Sequence, residues 1–147
     1  MRVVLTDGKG PSGAFIRWYT WSWAAHAGVE LTDGIIDATP SRGVSLHAGI
    51  DGTQIRHYTI LGLTPVIELA VRKFLIAQKG KPYDWSAIVG LGIRRDWYSD
   101  DKWFCSELVA AAFEQAGLPL LNTLRSNRIT PRDLELSPLL LRDDQYA

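Results

Sequence analysis

The stretch Trp103 to Gln115, WFCSELVAAAFEQ, constrains this chain more than any other. Phe104, Leu108, Val109, Ala112 and Phe113 recur at helical spacing and form one broad apolar face. Ala110, Ala111 and Ala116 favour helix, while Glu107, Glu114 and Gln115 are polar enough to stay in water. Gly117 suits a left-handed cap, and Pro119 blocks continuation. With Asp100 or Asp101 as the N-cap, the only cysteine of the chain, Cys105, falls in or close to the first turn. Unpaired N–H groups and the positive end of the helix dipole favour thiolate over thiol there, which makes Cys105 a candidate nucleophile. A small core residue on an alanine-rich helix is the competing reading.

The first half of the chain supplies strands. Val3 to Leu5 reads as a short strand, followed by the glycine-rich loop Asp7 to Gly13. Ala14 to Tyr19 reads as a single helical turn packing Phe15, Ile16 and Trp18. From Ala25 to Leu31 the residues alternate, with Ala25, Ala27, Val29 and Leu31 on one side and His26, Gly28 and Glu30 on the other. Thr32-Asp33-Gly34 turns the chain into a return strand, Ile35 to Thr39. Pro40 to Gly43 turns it again, and Val44 to His47 and Gln54 to Leu61 are two further strand candidates. The second half changes character. Thr64 caps a helix that begins at Pro65 and runs to about Gln78, with Val66, Leu69, Ala70, Phe74 and Ala77 as its buried stripe. A short helix is expected over Asp84 to Val89, and Thr130-Pro131 opens one or two further turns. Strands first and helices afterwards indicate an α+β fold, an antiparallel sheet packed against helices.

Composition excludes several classes of function. At 147 residues the chain has the length of one domain, residues 1–147. Sixteen basic and sixteen acidic residues cancel, so no net field attracts nucleic acid or an anionic surface. A single cysteine leaves no internal disulfide. The N-terminus has no signal-peptide pattern and the longest apolar run, Ala87 to Ile93, is far short of a membrane span, so a cytoplasmic protein is the expectation. No two histidines have the spacing of a helical metal pair, and neither metal nor cofactor is expected.

A cysteine nucleophile needs a base within hydrogen-bond reach, and histidine serves near neutral pH. His26, His47 and His57 are the candidates, and the residues alone leave all three open. His26 and His47 sit in the same tripeptide, His-Ala-Gly. His26 has the better context, because the strand that returns after its hairpin carries Asp37 between Ile36 and Ala38. Paired strands can bring a histidine and a carboxylate together on one face, and the carboxylate then fixes the imidazole tautomer. His47 and His57 read as satisfied surface or core histidines. Trp18, Trp21 and Trp23, just before His26, form an aromatic wall, either of a core or of a cleft.

The words FIRWYTWSWAAHAGVEL, GIIDATPSRGV, GKPYDW, WFCSELVAAAFEQAG and ITPRDLELSP, in that order, resemble the circularly permuted NlpC-type papain-fold cysteine peptidases, the YiiX-like group. In that family the histidine strand precedes the cysteine helix, as it does here. The resemblance implies a permuted papain-like fold with Cys105 as nucleophile, His26 as base and Asp37 as the third, polar member. Tyr83 of the Gly-Lys-Pro-Tyr-Asp word corresponds to a residue that lines the substrate cleft in relatives, and Trp23 is a further candidate wall of that cleft. The implied reaction is hydrolysis of amide bonds, in peptides of the peptidoglycan type, through a thioester. Acyl transfer or thioester cleavage on lipid, known in a related branch, is one alternative. A catalytically silent domain that binds peptide or cell wall is another, since Asp37 stands where relatives often have glutamate and Ala25 where they have serine or threonine.

Overall fold

The hairpin expected around Thr32-Asp33 organises the sheet. In a computed structural model of the protein, which describes residues 1–86, 101–122 and 129–143, strand β2 (His26–Leu31) turns through Thr32 and Asp33 into β3 (Gly34–Thr39). The pairing is antiparallel, with Gly28 opposite Asp37 and Leu31 opposite Gly34. A second turn leads to β4 (Gly43–His47), where Ser45 lies opposite Asp37 and His47 opposite Ile35. On the other side of β2 lie β1 (Arg2–Thr6) and then β5 (Ile55–Ile60). The edge strand β6 (Leu140–Arg142) completes the antiparallel order β4-β3-β2-β1-β5-β6. Three residues are too few to carry an alternating signal, and β6 is not legible in the sequence.

Helix α1 (Gly10–Thr20) joins β1 to β2. It is longer than the single turn expected, because Pro11 starts the helix instead of marking a loop. Ile16 is buried, but Trp18 is 71% exposed, so that helix does not pack all three residues named for it. Helix α2 (Pro65–Gln78) begins as expected, with the Thr64 hydroxyl accepting from the Ile67 N–H at 3.3 Å. Its buried stripe is instead Ile67, Val71, Phe74 and Leu75, with Val66 and Leu69 in solvent. Apolar residues surround this helix, so the sequence leaves its rotational phase open by one position. The cysteine helix α3 (Cys105–Gln115) packs on α2 and on β2 and β3. Phe104, Leu108, Val109, Ala112 and Phe113 are all buried, as their spacing predicts. A short helix α4 (Pro131–Glu135) follows, with a capping box between Thr130 and Asp133. The helix expected over Asp84 to Val89 extends beyond the described residues.

Two backbone ties bring the second half of the chain to the histidine strands. The Val44 N–H donates to the Lys81 carbonyl at 2.9 Å, and the Gly80 N–H to the Val44 carbonyl at 2.9 Å. The Asp84 N–H then donates to the Trp103 carbonyl at 3.0 Å, and the Trp103 N–H to the Pro82 carbonyl at 3.2 Å. Residues 80–84 thereby sit between β4 and the start of α3. The crossing is tight at Gly43, which has φ of +63° and would place a Cβ 2.3 Å from the Lys81 oxygen. Gly43→Ala is therefore expected to lower unfolding stability by about 2 kcal/mol or more in urea titration. An unchanged midpoint would contradict this account of the crossing.

Candidate active site

Cys105 is the first residue of α3, and Phe104 is its N-cap, without a side-chain capping bond. The expected caps, Asp100 and Asp101, are replaced by a different device. Glu107, three residues beyond the cap, reaches back to accept from the Phe104 N–H, half of a capping box. The Ser106 hydroxyl is buried and donates to the Ile129 carbonyl, which fixes the first turn against the segment entering α4. The cysteine therefore lies where the helix has no internal partners for its N–H groups.

His26 opens β2 opposite Thr6. Its Nε2 donates to Asp37 Oδ2 at 2.8 Å, and the ring also hydrogen-bonds Cys105, for which Nδ1 is the remaining nitrogen. The diagonal contact with Asp37 follows from the register. Asp37 faces Gly28, two residues along from His26, and a Cβ at Gly28 would lie 3.3 Å from the Asp37 Cβ. The glycine of His-Ala-Gly leaves space for the carboxylate to lean toward the imidazole. Cys105, His26 and Asp37 are thus brought together as a thiol, an imidazole and an acid in hydrogen-bonded sequence.

The electrostatics of the group are mutual. Burial disfavours a charged His26, but the negative charge of a Cys105 thiolate and the hydrogen bond to Asp37 outweigh it and push His26 up to about 10. Asp37 is 1% exposed. Burial pushes its carboxyl up, yet the hydrogen bonds and charges of His26 and His47 hold it below the ordinary carboxylate range. His26 is thus held charged and Asp37 ionised, each by the other.

A cleft of about 220 Å³ opens beside these residues, lined among others by His26, Thr39, Ser12 and Tyr83. Cys105 is 1% exposed and does not itself line the cleft, but two lining residues, His26 and Tyr83, interact with it. Tyr83 leans on the Phe104 ring with centroids 5.9 Å apart. Burial raises the Tyr83 phenol, and the negative charges of Cys105, Glu107 and Asp84 act in the same direction, so it is an un-ionised wall. Trp23 lies elsewhere. Its indole N–H donates to Glu135 Oε1 at 2.6 Å, with the Arg56 guanidinium 3.9 Å above its ring. Trp18 and Trp21 are 71% and 87% exposed, Trp23 packs against the edge of the core, and none of the three lines the cleft.

Two features escape the sequence reading. His47 joins the cluster, its Nε2 2.7 Å from Asp37 Oδ1 and its Nδ1 donating to the Gly49 carbonyl. Neither of its nitrogens faces Cys105, so it is not the base. His57 is paired with Glu30 at 3.4 Å, away from Cys105. The other feature is the acidic neighbourhood of α3. Glu107, expected in water, is half-buried, and burial together with the negative charge of Asp84 pushes it up to about 7.

The architecture is a permuted papain-like one, α+β, with the histidine strand ahead of the cysteine helix in the chain. The fold is that of the metalloprotein YiiX from Escherichia coli O157:H7, DUF1105, with a TM-score of 0.73, covering 97% of this chain and 94% of that one at 17% identity. No family model matches the chain, and no curated protein does so significantly. Among the described residues no helix is long and apolar enough to cross a membrane.

The Glu107 shift sets a pH dependence of stability. Its ordinary value is 4.5 and its folded value about 7, so between these the folded state binds the extra proton. Stability from this group falls as pH rises through that window and the deficit is complete above it. Glu107→Gln is expected to raise the melting temperature at about pH 8, with the difference closing near pH 4. Equal melting curves at both pH values would refute the burial of this carboxyl.

Proposed function

We propose that the protein is a cysteine-dependent hydrolase of amide bonds, acting on peptides of the peptidoglycan type through a thioester acyl-enzyme. The observation that carries this reading is His26 held between Cys105 and the buried Asp37. A thiol joined to an oriented imidazole is the arrangement that nucleophilic acyl transfer requires. Tyr83 and His26 wall the cleft that would receive the peptide.

In the proposed reaction the Cys105 thiolate, with His26 as imidazolium, attacks the scissile carbonyl. The Cys105 N–H, at the open end of α3, would stabilise the oxyanion. Collapse of the tetrahedral intermediate breaks the C–N bond, and His26 gives its proton to the departing amine. His26 then takes a proton from water, whose hydroxyl attacks the thioester; the C–S bond breaks, the acid leaves and the thiolate–imidazolium pair is restored.

YiiX is a metalloprotein, and its name raises the question of a metal here. Among the described residues no three His, Cys, Asp or Glu side chains are placed to hold an ion together. The atoms of His26, Asp37 and His47 that face one another are joined by hydrogen bonds of 2.8 and 2.7 Å. These residues do not fit a resident metal, and the proposed chemistry uses side chains and backbone alone.

A second reading, acyl transfer or thioester hydrolysis on lipid by the same residues, is favoured by one observation. On α1, whose first turn lines the cleft, Trp18, which is exposed, and Tyr19 both lie against Phe15, and Trp21 is exposed just after the helix. Such aromatic clusters suit the interface between lipid and water.

Incubation with stem-peptide fragments and, separately, with long-chain acyl thioesters is expected to give hydrolysis of the peptides. Cys105→Ala and His26→Ala are each expected to abolish it, by at least about a thousandfold, while melting as folded proteins. Full activity in Cys105→Ala would overturn the proposal. Turnover of the acyl thioester alone would select the lipid reading, and peptide binding without turnover the silent domain.

A further inference from the structure

His47 has no place in a three-membered Cys-His-acid arrangement, yet the fold gives it the same relation to Asp37 that His26 has. Strand β3 lies between β2 and β4, and Asp37 faces Gly28 on one side and Ser45 on the other. His26 is two residues from Gly28 and His47 two residues from Ser45, in opposite directions along β3. Each carboxylate oxygen of Asp37 therefore meets one imidazole: Oδ2 meets His26 Nε2 at 2.8 Å and Oδ1 meets His47 Nε2 at 2.7 Å. The far side of His47 is fixed as well, because Nδ1 donates to the Gly49 carbonyl at the start of the loop after β4. Both partners of this ring are acceptors once Asp37 is ionised, so His47 acts toward the carboxylate only as a donor.

We propose that His47 is a positioning residue of the thiol–imidazole pair, setting the plane of the Asp37 carboxylate and through it the orientation of His26. The inference rests on the reading of Cys105 and His26 as nucleophile and base. A carboxylate with a single donor can turn about its Cβ–Cγ bond, whereas one gripped at both oxygens cannot. Asp37 is 1% exposed, so solvent is poorly placed to replace a lost donor. His47 does not line the cleft, and its ring nitrogens bond Asp37 and the Gly49 carbonyl, so it acts on His26 through Asp37.

Two polar substitutions separate the bonds that His47 makes. In His47→Gln the amide nitrogen reaches about as far as Nε2 and keeps the bond to Asp37. In His47→Asn it reaches only as far as Nδ1, keeping Gly49 and losing Asp37. The test is the rate of Cys105 alkylation by iodoacetamide at about pH 6 and about pH 10, on either side of the roughly 8.5 of a free thiol. His26→Ala serves as the reference. We expect His47→Asn to slow alkylation roughly tenfold at the lower pH and not at the higher, and His47→Gln to stay within about threefold of wild type at both. Equal slowing by Asn and Gln would overturn the proposal, because the donor would not be what matters. Unchanged or faster alkylation in His47→Asn, with His26→Ala slowed, would also overturn it while leaving the thiol–imidazole pair intact. If His26→Ala alkylates like wild type, the underlying pair itself fails. Thermal melting of each variant identifies any that does not fold. Should His47→Asn be one, the rate in His47→Gln decides: a loss beyond threefold at the lower pH overturns the proposal.

Discussion

A carboxylate buried inside a sheet must be paired, and much of this molecule answers to that requirement at Asp37. Removing an ion from water costs several kcal/mol unless hydrogen bonds and opposite charge replace the solvent. On β3, with a neighbouring strand on each side, Asp37 receives imidazoles from both. Its pairing fixes the start of β2, and the start of β2 delivers His26 to the cysteine. The short residues facing Asp37, Gly28 and Ser45, are what allow the contacts to run diagonally across the strands.

The thiol arrives by a different route, through packing. The apolar face of α3 covers β2 and β3, with Phe104, Leu108 and Phe113 fully buried. Burial of side chains of this size contributes about 1.5–3 kcal/mol each before entropy is counted. The core thus holds the helix firmly, and the ties through residues 80–84 and Trp103 locate its first residue. A site assembled from two rigid elements, a strand end and a helix start, keeps its geometry better than one carried on loops. Its surroundings are acidic as well as basic: burial raises the Tyr83 phenol, and the negative charges of Cys105, Glu107 and Asp84 act with it.

How much of this is legible in the chain depends on the kind of signal. The alternation from Ala25 to Leu31, the Asp-Gly turn and the face of α3 are periodic, and they appear in the structure where their spacing puts them. Helix α2 has the expected ends but a buried stripe displaced by one position, because an all-round apolar pattern carries no phase. Helix α1 was hidden by its glycines and proline, and β6 by its brevity. For the site, the residues alone leave His26, His47 and His57 open and the family resemblance singles out Cys105, His26 and Asp37, but contact requires the register, which only pairing supplies. His47 shows the same limit from the other side. Its tripeptide repeats that of His26, yet nothing short of the β3–β4 register places it two residues beyond the partner of Asp37. Trp23 is close to His26 in the chain, but its indole is held by Glu135 and Arg56 and does not line the cleft.

The central claim is that Cys105 and His26 form an ion pair supported by Asp37. The most direct measurement is the pH titration of the His26 ring by NMR, in wild type and in Cys105→Ala. The account predicts that wild-type His26 stays protonated through neutrality and titrates near 10, far above its ordinary 6.5, and that it falls when the sulfur is removed. A wild-type His26 that titrates near 6.5, indifferent to the loss of Cys105, would contradict it.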